Sequence, residues 1–210
     1  NTSSFNQNIG NWVTSNVTKM DSMFKDASSF NQNIGNWNTS DVRDMQNMFE
    51  KAESFNKDIN NWDVSKVRIM QTMFSGATTF NQSLNNWNIS NVKDLSYMFD
   101  NAYRFNGNIE NWDTSNVKDM SCMFSDAYDF NQNIGNWNTK KVIYMNSMFR
   151  KAQSFNQNIN SWNTGNVTNM CQMFYRATNY NQPIDNWDMS KVKNKTQMIQ
   201  ETKLEDSLKN

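Results

Sequence analysis

Eight tryptophans stand on a single lattice. Trp12, Trp37, Trp62, Trp87, Trp112, Trp137, Trp162 and Trp187 are each 25 residues from the next. A fixed period of this length implies a solenoid, in which each coil buries its apolar side chains against the neighbouring coils. Other columns keep the same period. Phe30, Asn31 and Ile34 precede Trp37; Val42, Met45, Met48, Phe49 and Ala52 follow it, and the next unit repeats them. Exceptions are conservative, such as Leu84 for Ile, Leu95 for Met and Tyr180 for Phe. The asparagine column, Asn6 to Asn181 in steps of 25, has no exception. The expected fold is therefore eight coils of 25 residues.

Within one coil, the pattern suggests two elements. Val42, Met45, Met48, Phe49 and Ala52 fall within an arc of about 120° on a helical wheel, so 42–52 reads as a short helix. Ser40 or Asn38 is placed to cap it. Such a helix is marginal alone and needs stacking to persist. One short parallel strand per coil is expected around 32–34. The asparagine column reads as buried amides bonding the backbone of their own turn and stacking on the same residue one coil away. The methionine columns read as packing, because they lie beside Phe and Ala and methionine fills irregular gaps. The expected class is an α/β repeat of short strands and short helices.

The chain has 20 basic and 20 acidic residues, no His, two Cys and one Pro, with a mean hydropathy of −0.87. Aromatics at 13% separate it from disordered chains of similar polarity. The lattice breaks at Lys195, Ile199 and Thr202, which replace Met, Phe and Ala. The expected organisation is a solenoid over 1–190 and a C-terminal capping helix over 191–210. The repeat already runs at Phe5, so the block looks like the tail of a longer array. No stretch is long and apolar enough to cross a membrane. Cys122 and Cys171 lie two coils apart in different columns, and no disulfide is expected.

The run Phe-Asn-Gln-Asn-Ile-Gly-Asn-Trp-Asn-Thr-Ser-Asp-Val-Arg-Asp-Met-Gln-Asn-Met-Phe, 30–49, resembles a bacterial surface-protein repeat of about 25 residues found in mycoplasma lipoproteins. That repeat is a domain of unknown function, similar to BspA-like leucine-rich repeats. The resemblance spans about 5–190. It implies a right-handed, leucine-rich-repeat-like solenoid displayed outside the cell, attached to its surface by an anchor that is not in this chain. Adhesion is the function usually suggested for such repeats, and the family carries no catalytic residues to transfer.

Without histidine, every imidazole-based dyad or triad is excluded, as are His-ligated metal sites. Among six glycines there is no phosphate-binding pattern. Asp126 and Asp129 read as solvated carboxylates rather than an acid–base pair. No cofactor and no metal is expected. Candidate partner-binding residues come from columns that the repeat leaves free to vary. Tyr103 and Tyr128 sit on adjacent coils, flanked by Arg104 and Asp129, with Tyr97 one coil before. Charge is also uneven. The stretch 131–184 holds Lys140, Lys141, Arg150, Lys151 and Arg176 and no acid, while 100–129 holds six acids against Arg104 and Lys118. A basic patch of this kind suits an anionic partner or a head-to-tail contact between copies. The absence of an aromatic groove argues against nucleic acid. The expected function is a non-enzymatic module binding a protein or glycan ligand. The competing expectation is a stalk that carries another domain.

Overall fold

A computed structural model describes residues 2–208. The 25-residue period becomes the register of its hydrogen bonds. Parallel bridges join Lys19 to Asp44, Asp44 to Ile69, Asp94 to Asp119 and Asp119 to Tyr144. The chain thus lies on itself coil over coil. The core runs down the stack: Phe30, Ile34, Val42, Met45, Met48, Phe49 and Ala52 are wholly buried, as are their equivalents in the middle coils. Phe49 packs on Phe55 at 4.1 Å and on Phe74 of the next coil at 5.3 Å. Trp37 and Trp62 lie parallel at 6.4 Å.

The coils are not built from a strand and a helix, which corrects the expected α/β, leucine-rich-repeat-like class. Among the described residues the only helix is α1, Lys203–Leu208. The bridges are isolated and form no sheet. No bridge falls at 32–34; they fall one residue before the first methionine column, within the stretch expected to be helical.

The reason lies in the backbone of that stretch. Asn47 and Lys51 have φ of 55° and 56°, and the equivalent positions of the described coils share this conformation. Two left-handed residues in so short a run break the i→i−4 ladder of an α-helix. The freed amides go to the next coil instead. Met45, Asn47, Phe49 and Lys51 donate to the carbonyls of Ile69, Gln71, Met73 and Ser75 at 3.0, 3.1, 2.8 and 2.7 Å. A helix would have spent these donors within itself and left the coils joined by side chains alone. The left-handed residues are Ser, Asp, Asn, Lys, Thr, Tyr, Cys, Gln, Arg and Glu, and only Gly76 is a glycine. Each non-glycine costs about 1–2 kcal/mol, offset by the bond between coils that it permits.

Turns explain the spacing that mimicked a helix. The i→i+3 bonds run from Trp37 to Ile34, Met48 to Met45, Ala52 to Phe49 and Phe55 to Ala52. Both closing residues of each turn are core columns. A step of three residues is therefore the width of a β-turn here, not a helical face.

The stretch before it is tied by side chains. The Asn31 amide donates to Oδ1 of Asn6, the Asn56 amide to Asn31, and so on to Asn181 and Asn156. These asparagines are half-buried or exposed rather than buried, and they bond the following coil rather than their own turn. The Trp62 indole donates to the Ile34 carbonyl at 3.1 Å, and Trp87 to Ile59 at 3.0 Å. The hydroxyls of Thr39, Thr114, Thr139 and Thr164 donate to carbonyls of the coil after.

The two ends differ. Trp12 stacks on Trp37 at 6.2 Å and is 53% exposed. At the far end, 191–201 continues the coil pattern, and in α1 the buried Leu204 donates its amide to the Tyr180 carbonyl at 2.9 Å. Glu205 Oε2 accepts the Glu201 amide at 2.8 Å, in the place a further coil's carbonyl would take. The expected cap of 191–210 ends in residues 209 and 210, which lie outside the described residues.

Candidate binding surface

The stretch 44–53 of each coil faces outward with its variable side chains, because its backbone amides already hold the stack. Tyr97, Tyr103, Tyr128, Tyr144 and Tyr175 all belong to it, five of the six tyrosines. Tyr103 and Tyr128 stack at 5.0 Å with planes 9° apart. Both keep exposed area. Tyr97 is 41% exposed, and the neighbouring Cys122 thiol pushes its pKa up to about 12. Burial raises the Cys122 thiol itself, which disfavours its thiolate form. Cys122 and Cys171 are both free.

Behind the tyrosine pair lies Asp126. It is buried, which corrects its reading as a solvated carboxylate, whereas Asp129 is exposed. Arg150 Nη1 donates to Asp126 Oδ2 at 2.5 Å and Lys151 Nζ to Oδ1 at 3.0 Å. The Ser125 and Tyr128 hydroxyls approach the same carboxylate at 3.3 Å. Burial also raises the pKa of the nearby Asp100. Burial first, and then the Asp126 charge, raise Tyr128. This network anchors one edge of the tyrosine pair.

The basic run does not gather into one patch. Arg150 and Lys151 are spent on Asp126, and Arg176 pairs with Glu201 at 3.0 Å. Lys141 Nζ bonds Asn116 Oδ1 of the preceding coil at 2.6 Å. Lys140 is exposed, on the 139–142 turn rather than beside Arg150. Arg104 and Asp129 form no ion pair; their amides bond the carbonyls of Thr78 and Tyr103. Arg150, Lys151 and Arg176 are neutralised across coils, which a count along the sequence does not reveal. Tyr144 and Asp100 were not singled out from the sequence. Tabulating side chains by position in the 25-residue lattice would have found them.

Shallow grooves run along the other side of the stack. One, of about 410 Å³, is lined by Asn160, Ser161, Asn163, Thr164, Asn186 and Asp188 among others. Its carboxylate, Asp188, is held below the usual range by the Ser190 amide, so it is a turn-capping anion. Among the described residues no group of His, Cys, Asp and Glu could hold a metal ion. No helix there is long and apolar enough to cross a membrane.

These features define a class: a repeat protein of stacked 25-residue coils with an aromatic outer face. The model of a family described as "Mycoplasma protein of unknown function, DUF285" matches the chain twice, over residues 1–112 and 93–210, and the chain belongs to that family. No curated protein and no solved structure matches it.

Proposed function

We propose that this chain is a non-enzymatic, extracellular, surface-attached module that binds a protein or glycan of another cell through the variable side chains of 44–53. The observation that carries the reading is the Tyr103–Tyr128 pair, stacked at 5.0 Å and only partly covered. Tyrosine contributes a large rigid contact area at low entropic cost and is enriched at binding hot spots. The residues around it are ordered by Asp126, so the surface is preorganised.

A spacer role is the second reading. It is favoured by the phenylalanine and tryptophan stacks along the axis, which suit a stiff rod. Labelled chain and a Tyr97→Ser/Tyr103→Ser/Tyr128→Ser variant, applied to intact cells, separate the two. The binding reading expects affinity to fall at least about tenfold, since each lost hot-spot tyrosine costs about 1–2 kcal/mol. Equal binding by both proteins overturns the tyrosine site, and binding by neither favours the spacer.

A further inference from the structure

Almost every ion pair of the stack joins opposite charges on adjacent coils: Lys25 with Glu50, Lys51 with Asp26, Lys66 with Asp41, Arg150 and Lys151 with Asp126, Arg176 with Glu201. One column breaks this habit. Arg43, Arg68, Lys93 and Lys118 occupy the same position in four successive coils. All four are exposed, and none forms an ion pair among the described residues. Backbone bonds at the row fix two of its three steps: the Arg68 amide donates to the Arg43 carbonyl at 3.0 Å, and Lys118 to Lys93 at 2.8 Å; between the coils of Arg68 and Lys93 the register is held a few residues on, where the Thr72 amide donates to the Ser96 carbonyl at 3.1 Å. Four like charges in one row repel one another and do nothing to hold the coils together.

Carboxylates stand in the adjacent column, at Asp44, Asp94 and Asp119. Each is turned back on its own turn, where Oδ1 accepts the amide of Gln46, Ser96 or Ser121 at 3.0, 2.8 and 2.8 Å. They lower the net charge of the face without neutralising the row. A general polyanion binder would lack them. Their presence suits a ligand whose anionic groups stand opposite the cations and nowhere else.

We propose that Arg43, Arg68, Lys93 and Lys118 bind a linear acidic polysaccharide that carries one carboxylate per sugar. The inference rests on the reading of the chain as a binding module and names a ligand class and a site for it. Coils paired by parallel backbone bonds repeat every ~4.8 Å, so three steps of the row span about 14 Å. A pyranose ring with its glycosidic oxygen advances a chain by a similar step. Duplex phosphates, at about 3.4 Å per strand along the helix axis, fall out of step with the row. Single-stranded nucleic acid also calls for aromatic platforms among the cations, and this column contains none.

The test measures binding of the full chain to polygalacturonate, with neutral dextran and single-stranded poly-dT as comparisons, over a range of salt. Saturable polygalacturonate binding that weakens steeply with salt is expected. Arg43→Ser/Arg68→Ser/Lys93→Ser/Lys118→Ser should weaken it about a hundredfold. The charge-preserving Arg43→Lys/Arg68→Lys variant should keep it, and so should Lys140→Ser/Lys141→Ser. No binding to polygalacturonate at low salt, undiminished binding by the quadruple serine variant, or equal or tighter binding of poly-dT would overturn the proposal. None of those results touches the tyrosine variant on cells, so the two readings fail separately.

Discussion

Each coil has two unlike halves. In the first, from the asparagine column to Val42, side chains bond the neighbouring coil: Asn31 Oδ1 accepts from the Asn56 amide, the Trp62 indole donates to Ile34, and the Thr39 hydroxyl donates to Asp63. In the second, 43–52, backbone bonds backbone, as Asn47 to Gln71 and Lys51 to Ser75. The consequence is visible within the one chain. The first half repeats its Asn and Trp without exception, because those side chains are the link. The second keeps its core methionines and phenylalanines but varies its outer side chains freely, from Ser to Arg to Tyr, even at left-handed positions. A repeat whose backbone carries the stack leaves its outer side chains available for recognition.

The largest test of this division is in the first half. Trp87→Ala removes a buried ring and the bond to Ile59, and should cost about 3–5 kcal/mol in urea unfolding. Trp87→Phe keeps most of the volume and should recover at least about half of the loss. A cost under about 1 kcal/mol for the alanine variant would mean that the stack does not depend on this column.

A matched pair sharpens the comparison. Asn131 Oδ1 accepts both the Asn156 amide and Gln157 Nε2 at 3.0 Å, so Asn131→Ala should cost about 1–2 kcal/mol. Thr72 sits in the second half at φ 59°. Thr72→Gly relieves a left-handed β-branched residue and keeps the amide bond to Ser96. Backbone entropy offsets part of the gain, so the change should be neutral to stabilising by about 1 kcal/mol. If thermal unfolding ranks the two variants the other way, the division between side-chain and backbone linkage is wrong.

The smallest effect concerns charge in the second half. Burial holds the Asp100 pKa above its ordinary value, so the folded chain binds that proton more readily than the unfolded one. Stability from this group therefore declines as pH rises from the ordinary carboxylate value through the raised one, and the penalty persists at neutral pH. Asp100→Asn should stabilise the chain at pH 7 by under about 1 kcal/mol, discounted for partial solvent screening. The gain should vanish at a pH well below the ordinary carboxylate range. A melting temperature lowered at pH 7 would show instead that the Asp100 charge is needed by its neighbours.

The periodicity was legible because the core columns are repeated side chains: Phe49, Trp62 and Met73 are where the lattice puts them. The local conformation was not legible. Met45, Met48, Phe49 and Ala52 fit a helical stripe and a chain of β-turns equally well, since both bring residues three apart to one side. What excludes the helix is the left-handed Asn47 and Lys51, and lysine carries no sign of that conformation. The candidate surface was legible in its tyrosines and misleading in its cations. Reading 131–184 along the chain grouped Arg150 with Lys140, whereas Arg150 answers to Asp126, 24 residues earlier.

The sequence by itself determined the period, the buried columns and the absence of imidazole chemistry, because these depend only on which side chains recur and which are missing. Tertiary structure alone decided how each coil is wound, which charges are spent and which remain free. A backbone amide that can close a helix or reach the next coil has the same sequence in both cases. Only the neighbouring coil, with its carbonyl less than about 3.2 Å away, settles the choice.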